Sequence, residues 1–209
     1  MACQTDAIPP EVSVKRVGVL AAASVAVLLA GCVPQTPVTP SPSPPTFMCT
    51  PEAGGAQAPC SEQQFQEMKA KDALYAEAEQ VYRTYLAEYH KVAEQGGSQQ
   101  LPSSIRNLLA NDALAKSLES DLRGLRSEGI KVRGTGVVIR EVRREPSLTL
   151  NGSEVAIRFC GDATGTVVYR NGKRDGIGAI SYETAYFRSV GAVLKIVAIQ
   201  YKGVDKCAS

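Results

Sequence analysis

From Ser61 to Gln95 the apolar side chains recur at helical spacing. Met68, Tyr75, Tyr82 and Tyr89 stand seven residues apart, and Ala78, Tyr85 and Val92 form a second row beside them. Both rows fall on one face of a helix. Ser61, with Gln64 three residues on, is a capping-box pair that starts this helix, and Gly96-Gly97 ends it. Such aromatic rows read as core rather than as a ligand box. Pro102, suited to a first turn, opens a short second helix through Ala110. A third runs from about Asp112 to Gly129, with Leu114, Leu118, Leu122 and Leu125 turned inward.

After Gly129 the apolar period shortens from about 3.6 residues to 2. The stretches 130–143, 154–162, 165–169, 177–188 and 192–201 are rich in Val, Ile, Tyr and Phe. Asn151-Gly152, Asn171-Gly172 and Gly191 supply the turns between them. Within 154–162, Val155, Ile157 and Phe159 share one side, and Ala156, Arg158 and Cys160 share the other. A sheet with one fully apolar face is covered by helices on that side. Helices first and strands after predict an α+β domain over 61–209: three N-terminal helices packed on an antiparallel sheet of four to five strands.

The N-terminal third carries no such pattern. Lys15 and Arg16 precede a run of apolar and small residues that gives way to Pro34. This is the charged and hydrophobic region of an export signal, shorter than the roughly 20 apolar residues of a spanning helix. Its end, Leu29-Ala30-Gly31-Cys32, resembles the bacterial lipobox. The resemblance implies cleavage before Cys32 and a diacylglyceryl and palmitoyl anchor on that cysteine, on the outer leaflet of the bacterial cell membrane. Residues 1–31 are then the signal peptide, and 32–60 carry the lipidated Cys32, a stalk and a small disulfide loop. Six prolines and no charge between Val33 and Thr46 favour an extended polyproline II stalk. At about 3.1 Å per residue it spans roughly 40 Å.

With Cys3 and Cys32 set aside, Cys49, Cys60, Cys160 and Cys207 remain, and four cysteines allow three pairings. An exported chain favours disulfides. The expected pairs are Cys49–Cys60, closing a Gly/Ala/Pro loop, and Cys160–Cys207, tying a strand to the tail. The competing arrangement leaves Cys160 free and joins Cys207 to Cys49 or Cys60. No CxxC is present and His90 is the sole histidine, so neither a metal nor a cofactor is expected.

The order of elements resembles the nuclear transport factor 2-like fold, a cystatin-like α+β cone in which a curved sheet wraps a long N-terminal helix. More narrowly, "LPSSIRNLLANDALAKSLESDLRGLRSEGIKVRG", Cys160 with Asp162, and the late Cys207 resemble a group of actinobacterial lipoproteins. The resemblance implies a cone whose acids and tyrosines line a pocket in isomerases, dehydratases and cyclases. The candidates here are Tyr82, Tyr85, His90, Asp162 and Glu183. The residues themselves favour milder roles: His90 solvated at a helix end, Asp162 capping a turn, Glu183 facing solvent. No nucleophile elbow or phosphate loop is present. The expectation is therefore a non-catalytic envelope domain that binds a protein or a small apolar ligand. The alternatives are a cone-pocket enzyme and a subunit of a secretion or conjugation assembly. Acids interrupt the basic spots REVRRE and RNGKRDG, and the net charge is +2, which argues against nucleic acid and leaves weak attraction to anionic headgroups or wall polymers.

Residues 1–13 carry two acids and no basic residue, unlike a signal's start, so Val14 is the expected initiation site. A product beginning Met-Lys15-Arg16 should be exported as well as the full-length chain. A marked fall in the processed fraction would show that residues 1–13 contribute.

Overall fold

The structure is a computed structural model that describes residues 46–208. The signal, Cys32, the Pro-rich stalk and the start site lie outside the described residues. Among those described, no helix is long and apolar enough to cross a membrane.

Helix α1 (Glu62–Glu94) begins at Ser61, whose hydroxyl accepts the Gln64 N–H while the Gln64 side chain accepts the Ser61 N–H. At 1.5 Å per residue its 33 residues run about 50 Å. Gly97 ends it at φ +80°, and a Cβ there would lie 2.1 Å from the Leu122 carbonyl oxygen, so α1 and the third helix meet backbone to backbone. Helix α2 is a single turn (Ser103–Arg106), shorter than the expected run to Ala110. The reason is tertiary. Residues 108–110 leave the helix to lie along a strand edge, where Ala110 N–H donates to Ile196 O at 2.8 Å and Ile196 N–H to Leu108 O at 2.9 Å. Helix α3 (Asp112–Ser127) starts at Asn111, whose Oδ1 accepts Leu114 N–H and whose Nδ2 donates to Val197 O. It buries Ala115, Leu118 and Leu122.

Among the described residues nine strands form three sheets, in place of one sheet of four to five. A hairpin of β1 (Phe47–Cys49) and β2 (Ala58–Cys60) is closed by the Cys49–Cys60 disulfide. Strands β4 (Val138–Arg144), β5 (Val155–Asp162), β8 (Ile180–Val190) and β9 (Val193–Val204) make a four-stranded antiparallel sheet in that order. Strands β3 (Ile130–Gly134), β6 (Thr166–Arg170) and β7 (Lys173–Ile177) make a three-stranded one.

The two larger sheets are one meander, bent across its width. β3 runs into β4, β5 into β6 and β7 into β8. Gly134 pairs with Thr166 on one side of the crease, and Val138 pairs with Asp162 on the other. The expected single strand 130–143 is thus broken at 135–137. At the crease backbones approach too closely for side chains: a Cβ on Gly134 would lie 2.3 Å from Gly165 O, and one on Gly178 would lie 2.2 Å from Ala163 O. Periodicity alone does not show a crease. It also missed β7, whose five residues are all exposed and carry no apolar alternation.

The core lies between the four-stranded sheet and the helices. Tyr75, Ala78, Tyr82 and Tyr85 of α1 meet Val155, Ile157 and Phe159 of β5, Ala185 and Phe187 of β8, and Leu194 and Ile196 of β9. The sheet's outer face carries a smaller cluster of Ala156, Tyr186 and Val197, covered by Leu148, Leu150 and Ala110. Farther along that face, Cys160 is fully buried beneath the tail and bonded to Cys207. Ala208 N–H donates to the Tyr182 hydroxyl at 2.6 Å.

The crease yields a paired test. Gly178→Ala forces a methyl onto a backbone oxygen and should cost roughly 1–3 kcal/mol. Gly176→Ala, where nothing lies within 4 Å, should stay within about 0.5 kcal/mol of wild type. Equal denaturant midpoints for the two variants would refute the close approach.

Candidate functional site

The five candidate residues divide among three places. Tyr82 and Tyr85 lie one turn apart on the buried face of α1. Tyr82 stacks on Phe159, with ring centroids 4.2 Å apart, and its hydroxyl donates to Glu183 Oε2. Ser181 Oγ donates to the other carboxylate oxygen at 3.2 Å. Glu183 therefore faces α1, not solvent as the alternation around it suggested. The reason is that Ala185 and Phe187, at the same phase of the strand, are core residues. Asp162 lies elsewhere. It ends β5 on the opposite face and caps a turn, accepting Thr164 N–H at 2.9 Å and Thr164 Oγ1–H at 2.6 Å, and it pairs with Arg140 at 3.0 Å. The Thr164 bonds first, and then Arg140, hold its carboxyl down at about 2.

Burial pushes the phenol of Tyr82 well above its usual range, and the Glu183 charge pushes it further. Burial likewise raises Tyr85, with Tyr89 and Glu183 adding to it, and raises Tyr89 itself. These phenols stay protonated at neutral pH, and Tyr82 is fixed as a donor. Tyr82, Tyr85 and Glu183 stand in the walls of none of the clefts at the disulfide hairpin, the crease, the α2–α3 junction or the outer face of the four-stranded sheet. Tyr82 packs there against the rings of Tyr85 and Phe159.

His90 is less exposed than its place near a helix end suggested. Its ring packs over Gly136, where a Cβ would come within 3.0 Å, and its Nε2 lies 3.2 Å from Gly134 O and 3.4 Å from Glu94 Oε1. It borders a cleft of about 320 Å³ with Arg83, Lys91 and Thr135, between α1 and the crease.

A ligand-sized cavity of about 540 Å³ lies beneath the disulfide hairpin, walled by β2, the first half of α1 and Arg144. Volumes of this order hold small molecules. Its walls mix Met68, Pro51, Pro59 and the disulfide with Glu52, Lys71, Asp72 and Arg144. Tyr75 ties it to the core: its hydroxyl donates to Glu52 Oε1 at 2.5 Å, and the Arg144 guanidinium lies 4.7 Å over its ring. Arg144 also pairs with Asp72 at 2.5 Å, and Lys71 donates to Glu154 O at 3.0 Å. Burial, then Glu52, raises the Tyr75 phenol. The sequence reading missed this site. Its one signal was Glu52, the sole charge between Cys49 and Cys60.

No family model matches the chain, and no curated protein matches it. Among the solved structures similar to this chain are two of different origin. One is the crystal structure of an NTF2-like protein with a cystatin-like fold from Novosphingobium aromaticivorans, 18% identical over 71% of this chain and 95% of that one, with a TM-score of 0.38. The other is the solution structure of a de novo designed β-sheet protein, 12% identical over 58% of this chain and 87% of that one, with a TM-score of 0.31. The α+β assignment rests on the chain's own helix packing and strand order.

Tyr82→Phe removes the phenol donor from Glu183 and should cost roughly 1–3 kcal/mol at neutral pH. A tyrosine whose folded pKa is raised contributes stability that is present below its unfolded value of about 10 and lost as pH climbs toward the folded one. Wild type should therefore lose stability above pH 10, and Tyr82→Phe should lose less. Urea midpoints at neutral and alkaline pH check both, and an unchanged neutral midpoint would remove the Tyr82–Glu183 bond from the account.

Proposed function

We propose that this chain is an exported bacterial lipoprotein, held through Cys32 on the outer leaflet of the cell membrane and presenting a non-catalytic binding or assembly domain. The observation that carries the reading is Leu29-Ala30-Gly31-Cys32 at the end of an apolar run behind Lys15-Arg16. Diacylglycerol on the thiol and an acyl group on the new N-terminus supply the two signals that stable anchoring needs. The two disulfides suit the oxidising side of a membrane. The domain's binding site is the cavity under the Cys49–Cys60 hairpin. It takes a small ligand or a segment of an envelope partner that matches its apolar floor and mixed charges.

The non-catalytic part is supported by the interior, where Tyr82, Phe159 and Glu183 pack against one another away from any cavity described. A cone-pocket enzyme of isomerase or dehydratase type is the second reading, favoured by a protonated phenol bonded to a carboxylate. It requires the rings to part for substrate, so Tyr82→Phe and Glu183→Gln would abolish turnover with the fold intact.

Cys32→Ala tests the anchor. The variant should accumulate as an uncleaved, unlipidated precursor and leave the detergent phase. Normal processing and detergent partitioning of that variant would sink the lipoprotein reading.

A further inference from the structure

REVRRE and RNGKRDG look alike as sequence, but ion pairing separates them in the fold. The arginines of the first are all neutralised: Arg140 by Asp162 at 3.0 Å, Arg143 by Glu141 at 2.5 Å, and Arg144 by Asp72 at 2.5 Å. In the second, Arg170 takes both Glu128, at 2.5 Å, and Asp175, at 3.0 Å. Asp175 is the one acid on β3, β6 and β7, which carry five cations. Lys131, Arg133, Lys173 and Arg174 are left with no carboxylate within 4.0 Å among the described residues. Outside these three strands, acids outnumber cations in the described chain. The positive charge is concentrated at the bent end of the meander.

The register decides what accompanies it. Lys131 lies opposite Tyr169, and Tyr169 opposite Arg174; Arg133 lies opposite Val167, and Val167 opposite Ile177. Directly opposed residues share a face. One face thus carries three cations interleaved with a tyrosine and two aliphatic side chains. Arg133 lies 5.6 Å over the Tyr169 ring, and Ile177 is 55% exposed. No residue of these strands belongs to either core cluster. Cations with aliphatic stems, an aromatic ring and an exposed isoleucine form a composition that sits at the boundary between headgroups and acyl chains.

We propose that the three-stranded sheet β3–β6–β7 docks on an anionic lipid bilayer. Lys131, Arg133 and Arg174 meet the acidic headgroups, with Tyr169 and Ile177 at the headgroup boundary. The choice of a bilayer as occupant rests on charge complementarity and on the proposed Cys32 anchor, which keeps lipid within a stalk's length of roughly 40 Å.

The test is amide exchange in the mature protein, mixed with vesicles of phosphatidylcholine alone or with phosphatidylglycerol added. Each cation at an anionic surface is worth about a fivefold change in affinity. Exchange across Lys173–Ile177 should slow by at least about fivefold on the anionic vesicles alone, and high salt should reverse the effect. Lys131→Gln/Arg133→Gln/Arg174→Gln should lose the protection. Arg174→Gln, on a fully exposed strand, should lose part of it and guards against misfolding of the triple variant. Equal exchange on both vesicles overturns the docking, as does protection by soluble poly(glycerol phosphate) without protection by vesicles. Partitioning into neutral vesicles reports the Cys32 anchor separately, so the two readings fail independently.

Discussion

The interior depends on Tyr82, whose ring lies on Phe159 and whose hydroxyl reaches Glu183. A buried phenol must find a partner or lose the free energy of its lost hydration. Here the partner is a carboxylate on β8, an inner strand that pairs with β5 and with the edge strand β9. That bond ties helix rotation to strand register. A slip of β8 by one residue would turn Glu183 outward and bring Tyr182 or Thr184 beneath the helix. The same slip would expose Ala185 and Phe187. Polar and apolar demands therefore select one alignment, and Ser181 completes it by occupying the second carboxylate oxygen.

The crease divides the labour of the meander. On one side, the four-stranded half supplies every strand residue of the core. On the other, the three-stranded half keeps its backbone bonds but is released from packing, which allows it five cations and an exposed isoleucine. Glycines at Gly134 and Gly178 make the bend by letting backbones touch. The two disulfides act on the four-stranded half and its neighbours: Cys160–Cys207 binds the tail over the outer face, and Cys49–Cys60 closes the hairpin against α1. In the chain-entropy model, a bridge closing nearly 50 residues is worth roughly 4 kcal/mol.

The sequence made the helices legible because their signals are local. Ser61 with Gln64, the seven-residue tyrosine row and the leucines of α3 need no knowledge of neighbours, and each stands where the pattern placed it. What failed was non-local. The end of α2 is set by bonds to Ile196, some ninety positions away. The strand state of β7 comes from its pairing with β6 through the Asn171-Gly172 turn, not from its own side chains. Glu183 reads as a solvent residue until Ala185 and Phe187 are known to face α1. The hairpin cavity joins residues 49–72 with Arg144, and no periodicity links them.

The chain's point of entry and the cationic sheet, the two places proposed to meet lipid, lie at opposite ends of α1. The chain enters at Phe47, which packs on Phe65 near the start of the helix. The cationic sheet meets the other end, where the Lys131 stem lies against Gly96. At 1.5 Å per residue these points are about 45 Å apart along the axis. A domain standing on its stalk with α1 upright would hold its cations beyond the roughly 10 Å over which an anionic surface attracts them. A domain lying with α1 along the bilayer would bring both ends of the helix to the lipid. The two proposals, an anchor at Cys32 and docking through Lys131, Arg133 and Arg174, are met together when the long helix lies along the membrane.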